Sequence, residues 1–114
     1  MRSVNRSSVI VRPKDPYVAW ARSMDQEAAK FTAADLRREA TVYLIPEIDD
    51  SGHAEELLRD CFAVIFDNEL CGWSTDENTW PSNRSFEMFR QWFNIEINSM
   101  IVDLCHYRFK VENL

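Results

Sequence analysis

From His53 to Cys71 the apolar residues Leu57, Leu58, Cys61, Phe62, Ile65 and Phe66 recur every three or four positions, while Glu55, Glu56, Arg59, Asp60, Asp67 and Glu69 fill the other side. That period predicts an amphipathic helix, the longest in the chain, with one face on a core and one in water. Asp49-Asp50-Ser51-Gly52 supplies a turn and a cap ahead of it, and the acids of its first turn suit the helix dipole. Gly72 ends it as a C′ residue. A helix of this length with a single apolar face requires a sheet or further helices to cover that face.

The remaining segments supply both. Ser8-Val9-Ile10-Val11-Arg12, bounded by Pro13, and Thr41-Val42-Tyr43-Leu44-Ile45, ended by Pro46, are β-branched or aromatic and read as strands. The second is apolar almost without interruption, which places it centrally in the sheet, buried on both faces. Asp15 before Pro16 starts a helix to about Met24 with Tyr17, Trp20, Ala21 and Met24 on one stripe, and residues 25–31 connect. Thr32 and Asp35 form a capping box for a short helix to about Glu39. Phe86, Phe89 and Trp92 give a helix from Ser85 to Trp92. Phe93, Ile95 and Ile97 then alternate with Asn94, Glu96 and Asn98 in a long strand that runs to Leu104 with a kink or bulge near Ser99. Tyr107-Arg108-Phe109-Lys110-Val111 is a fourth strand or a docked tail. The expected fold is therefore α/β or α+β, a small three- to four-stranded mixed or parallel sheet covered by about four helices, in the order β-α-α-β-α-α-β. At 114 residues one domain is expected over 7–114, with 1–6 a flexible tail.

Charge narrows the partners. The net charge of −6 divides into +3 over residues 1–40, −9 over 41–83 and zero over 84–114. An acidic middle argues against nucleic acid, whose affinity rests on Lys/Arg displacing counterions. It favours a basic partner surface, and it also admits an acidic mimic of nucleic acid. No apolar run is long enough to cross a bilayer, and the long helix lacks the basic face of a membrane-surface helix. Three cysteines, Cys61, Cys71 and Cys105, with no Cys-x-x-Cys pair, point to a reducing, cytoplasmic setting.

No spacing identifies a catalytic residue. There is no nucleophile elbow, no phosphate-cradling glycine loop and no zinc ligand pattern. Asp49, Asp50, His53 and Glu56 fall short of a calcium loop, so no metal and no cofactor is expected. The densest chemistry lies around Gly72–Pro81, where Trp73 and Trp80 bracket Asp76 and Glu77 and Arg84 follows. Large indoles offer rigid contact area with one N–H donor, and Arg84 offers a fork for a carboxylate or phosphate. The same tryptophans also suit plain core packing. Glu47 at a strand end and Asp103 inside an apolar run complete the candidate set of Trp73, Asp76, Glu77, Trp80, Arg84, Asp103 and Glu47.

Val11-Arg12-Pro13-Lys14, Val42-Tyr43-Leu44-Ile45-Pro46-Glu47, and Trp80-Pro81 followed by Arg84 and Phe89-Arg90-Gln91-Trp92-Phe93 give the chain a further likeness. It resembles a group of small bacterial proteins described as uncharacterised. The resemblance implies a bacterial cytosolic single-domain protein and carries no activity. Two functions from different classes follow from the residues. One is a non-enzymatic interaction module, or homodimer, using the acidic tryptophan-containing surface of residues 47–92. The other is a small hydrolase or ligand-binding protein with carboxylates and Arg84 in a cleft.

Overall fold

The strand that organises the molecule is β2 (Arg6–Pro13), because both of its edges are paired. The computed structural model describes residues 1–24, 26–49 and 51–114. Asp25 and Asp50 lie outside the described residues, and with Asp50 goes part of the expected cap. On one side β2 pairs with β3 (Thr41–Pro46), from Arg6↔Pro46 to Val11↔Thr41. On the other it pairs with β4 (Phe93–Asn98), from Ser8↔Asn98 to Pro13↔Phe93. Both ladders are antiparallel. A second, two-stranded antiparallel sheet joins β1 (Arg2–Ser3) to β5 (Val102–Asp103).

Two expectations change here. The sheet is antiparallel rather than mixed or parallel, because the chain returns to the end of β2 that it left. Helices α1 (Asp15–Met24), α2 (Gln26–Ala29) and α3 (Ala33–Arg38) form an excursion that begins after Pro13 and ends with Thr41 opposite Val11. The strand-to-strand crossover does exist, but it links β3 to β4, which run the same way on opposite sides of β2. It is made by α4 (Ala54–Cys71) and α5 (Phe86–Trp92). The eighteen residues of α4 span about 27 Å at 1.5 Å per residue, enough to run the length of the sheet. The second change is that β3 is an edge strand, not a central one. Its Val42 and Leu44 face outward, exposed, while Tyr43 and Ile45 point inward.

The described residues thus form an α+β fold of five helices and two small antiparallel sheets. Period-two alternation puts Ser7, Val9 and Val11, all fully buried, on one face of β2; on the other Arg12 is exposed and Ile10 half-buried, though Ser8 is buried as well. Beneath them Phe66, Phe89 and Phe93 meet with ring centroids 5.3–5.8 Å apart, and Tyr17 joins at 5.0 Å from Phe93. Such ring pairs add roughly 0.5–1.5 kcal/mol each beyond their burial.

Local signals behave as the residues dictate. Thr32 and Asp35 form the full capping box of α3, and the Ser85 hydroxyl caps α5 by accepting from the Met88 N–H at 3.1 Å. Gly72 ends α4 with a right-handed φ of −62°, so its freedom to adopt a positive φ is not used there. His53, at the head of α4, offers no side-chain cap. The long strand expected to run to Leu104 is broken by a bend at Ser99 into β4 and β5, and between Ser8↔Asn98 and Ser3↔Val102 the extra residue lies on the opposite segment, four residues (4–7) facing three (99–101). Ser7 ties this irregularity down, donating to the Ser99 carbonyl at 3.0 Å and accepting from the Ile48 N–H at 2.9 Å. Residues 1–6, expected as a tail, carry β1, with the Val4 N–H donating to the Ile101 carbonyl at 3.0 Å. The stretch 107–111 forms neither strand nor helix.

Candidate functional site

The tryptophan turn spends its polar groups on itself. The Trp80 indole N–H donates to the Ser74 carbonyl at 2.8 Å, and the Trp20 indole N–H reaches over from α1 to the Thr79 carbonyl at 3.1 Å. Asp76 accepts from the Asn78 N–H at 3.0 Å, heading a short 3₁₀ turn over Glu77–Thr79, and the Ser74 and Thr79 hydroxyls meet at 2.7 Å. Both Trp73 and Trp80 are half-buried and packed against the core. Arg84 stacks its guanidinium 5.4 Å from the Trp80 ring, pairs with Asp67 of α4 at 3.3 Å and donates to the Pro81 carbonyl at 3.0 Å. The arrangement is a clasp that holds the end of α4 to α1 and to the start of α5. Glu77 and Asp76 stand exposed at its tip, and Glu47 is exposed just beyond β3.

Asp103 is occupied elsewhere. Its carboxylate accepts from the Cys105 N–H at 2.8 Å and pairs with Arg2, which together hold its pKa below the usual carboxylate value. Arg2 also donates to the Tyr107 carbonyl at 3.1 Å, so it bridges the root of the segment that follows. Neither Asp103 nor Asp76 takes Arg84 as its partner.

A different set of groups converges, and the sequence reading placed its key member on the solvent side. Glu69 is half-buried rather than outward-facing, because it flanks the Ile65–Phe66 stripe and lies under β3. The Tyr43 hydroxyl donates to its carboxylate at 2.5 Å, the Asn68 amide donates to the Tyr43 oxygen at 2.9 Å, and the Tyr17 hydroxyl donates to the Glu69 carbonyl at 2.5 Å. Burial raises the Glu69 pKa, against the lowering effect of the Tyr43 hydrogen bond. Burial also raises both tyrosine pKa values, with Glu69 adding to each. Tyr17, Asn68 and Glu69 border a cleft of about 420 Å³ between α3, the start of β3 and the end of α4, with Glu39, Thr41 and Cys71 also in its wall. The signal that could have found it is the pairing of an inward-facing Tyr43 on β3 with a carboxylate one turn beyond Ile65. Chemically, the cleft presents carboxylates and a tyrosine to a cation or hydrogen-bond donor.

The second unusual feature is apolar surface. Val42 and Leu44 are 59% and 56% exposed on the outer face of β3, with the half-buried Ile10 cross-strand from Val42. After β5, Tyr107, Phe109 and Val111 are 74%, 62% and 81% exposed in a segment that is neither strand nor helix. Phe109 and Arg108 border a shallow cleft with Arg2–Asn5.

Among the described residues no group of three or more His, Cys, Asp or Glu is placed to hold a metal ion, and no helix is long and apolar enough to cross a membrane. No family model, curated protein or solved structure matches the chain.

Proposed function

We propose that this protein is an interaction module whose acidic middle segment engages a basic, apolar-alternating stretch of polypeptide. The observation that carries this reading is the exposed apolar edge at Val42 and Leu44, which lies within the block of residues 41–83 that carries a net charge of −9. An edge strand with an apolar outer face is a template for strand addition, and neighbouring carboxylates select for Lys/Arg on the incoming chain. The tryptophans serve this role indirectly. Trp73, Trp80 and Arg84 fix the end of α4 beside β3, and Asp76, Glu77 and Glu47 add to the acidic field, so the earlier candidate set acts as frame and field more than as contact.

The test uses a fluorescent decapeptide alternating lysine with phenylalanine, set against one alternating glutamate with phenylalanine. The lysine peptide is expected to bind, with affinity falling as salt rises. Equal binding of the two peptides, or binding of neither, overturns the reading.

A second reading, a ligand-binding cleft, is favoured by one observation: the half-buried Glu69 carboxylate with Tyr43 and Asn68 arrayed behind it. Calorimetric titration with putrescine and agmatine tests it. Binding that is lost in Glu69→Gln supports a cation site, and no heat at millimolar amine refutes it.

A further inference from the structure

The interaction reading names a class of partner, and the chain itself contains a segment of that class. Residues 107–111, Tyr-Arg-Phe-Lys-Val, alternate apolar with basic residues, the period of a half-buried strand, yet they pair with no strand among the described residues. Their root is fixed. Arg2 holds both Asp103 and the Tyr107 carbonyl, Arg108 and Phe109 border a shallow cleft with Arg2–Asn5, and Tyr107, Phe109 and Val111 keep their apolar side chains largely in water.

We propose that residues 107–111 of one copy add as a strand to the free edge of β3 in a second copy, and that the reciprocal addition closes a symmetric dimer. This rests on the interaction reading above and identifies its partner as another copy of the same chain. Three observations converge on it. First, the order β3-β2-β4 leaves one edge of β3 unpaired, so its ladder groups are available to an incoming strand. Second, the pleat matches. A strand that places Tyr107, Phe109 and Val111 on the outer face sets them beside Val42 and Leu44, extending an apolar stripe that already includes Ile10.

The third observation is charge. The same register turns Arg108 and Lys110 to the helical side of the sheet, where Glu39 and Glu69 border the cleft under β3. The basic pair on the segment therefore meets the two carboxylates that border the partner's cleft. A two-fold dimer makes this contact twice, which is the usual way a modest strand-to-edge interaction becomes stable.

Sedimentation velocity on the intact chain, with circular dichroism as a check that each variant folds, tests the proposal. Wild type is expected to dimerise with concentration. Phe109→Asp and Leu44→Lys should each weaken dimerisation roughly 30-fold or more, the scale of losing an interface hot spot. The decisive arm mixes the two variants. Phe109→Asp keeps a good β3 edge and Leu44→Lys keeps a good segment, so one contact of the mixed dimer is intact, and in the other the introduced carboxylate meets the introduced lysine on the same face; the mixture should therefore form a heterodimer at concentrations where each variant alone is monomeric. If Phe109→Asp dimerises like wild type while Leu44→Lys does not, the copies pack sheet face to sheet face and the strand-addition proposal is overturned. A wild type that stays monomeric at millimolar concentration also overturns it, while the lysine–phenylalanine peptide still decides the interaction reading separately.

Discussion

Replacing Ser7 with alanine should cost about 2 kcal/mol, although only one oxygen atom is removed. Ser7 is fully buried at the point where three parts of the chain meet. Its hydroxyl accepts from the Ile48 N–H at 2.9 Å, in the connection after β3, and donates to the Ser99 carbonyl at 3.0 Å, in the bend between β4 and β5. The two losses are unequal. Ser99 is exposed, so its carbonyl can turn to water at little cost. The Ile48 N–H belongs to a residue only 8% exposed, and it is left without an acceptor. A buried donor stripped of its partner costs about 1–3 kcal/mol, whereas a hydrogen bond exchanged for one to water costs well under that.

A penalty of that size corresponds to a drop in Tm of roughly 8–16 °C, at about 4–8 °C per kcal/mol for a domain near 100 residues. Urea unfolding at neutral pH is the assay, with the slope of free energy against denaturant checked for constancy so that the midpoint shift reads stability alone. Ser23→Ala is the control, since that exposed hydroxyl bonds to the Trp20 carbonyl within its own helix. A Ser7→Ala protein within about 0.5 kcal/mol of wild type would refute the reasoning, because it would mean that the Ile48 N–H finds another partner.

Trp80→Phe keeps an aromatic ring but removes the N–H that closes the clasp on the Ser74 carbonyl. Stability should fall by about 1 kcal/mol from the lost hydrogen bond, and amide exchange at Asn78 and Thr79 should quicken more than exchange in β2. Arg2→Ala takes one of the two groups that hold Asp103 ionised, so carbon-13 NMR should find its carboxyl titrating at higher pH than in wild type, with the Cys105 N–H still holding it partly down. Glu69 behaves oppositely to a salt-bridged acid. Because its folded pKa is raised, the native state holds its proton more tightly than the unfolded chain, and its contribution to stability is lost as pH rises from the ordinary glutamate pKa through the folded value. The difference in unfolding free energy between wild type and Glu69→Gln should therefore move against wild type with rising pH across that window, and a flat difference would contradict the burial assigned to the carboxyl.

What the sequence made legible was local. Thr32 with Asp35 and Asp15 before Pro16 are short-range hydrogen-bonding or backbone constraints, and each marks a helix start where the structure has one, as does the spacing of Phe86, Phe89 and Trp92. Pairing direction was not legible, because it depends on which end of β2 the chain re-enters after three helices, and no residue between 14 and 40 encodes that by itself. The same reason hid the position of β3. A continuous apolar run reads as a strand buried on both faces, but Val42 and Leu44 are apolar on an open face. Glu69 was misplaced by treating the acids of α4 as one solvated side. Its spacing from Ile65 and Phe66 put it at the border of the apolar stripe, and only the presence of Tyr43 opposite turned that border inward.

Those two misreadings concern one place on the molecule, which bears on function. The tryptophan turn drew attention because aromatic and charged side chains are dense there, but density is what a clasp requires: Trp20, Trp80, Asp76 and Arg84 each have a named partner within hydrogen-bonding or stacking reach. Unspent interaction capacity lies instead along β3. Among the described residues its outer edge carries no neighbour in the sheet, its outward Val42 and Leu44 are apolar, and its inward Tyr43 leads to a carboxylate whose charge is disfavoured by burial. Each of these conditions is relieved by the same event. An incoming strand supplies the missing ladder partner, an alternating apolar face covers Val42 and Leu44, and a cation on its other face stabilises the ionised form of Glu69. A segment with Arg108 and Lys110 set between Tyr107, Phe109 and Val111 has the alternation to meet all three requirements at once, which the tryptophan turn, with the Trp20 and Trp80 indole donors already committed, does not.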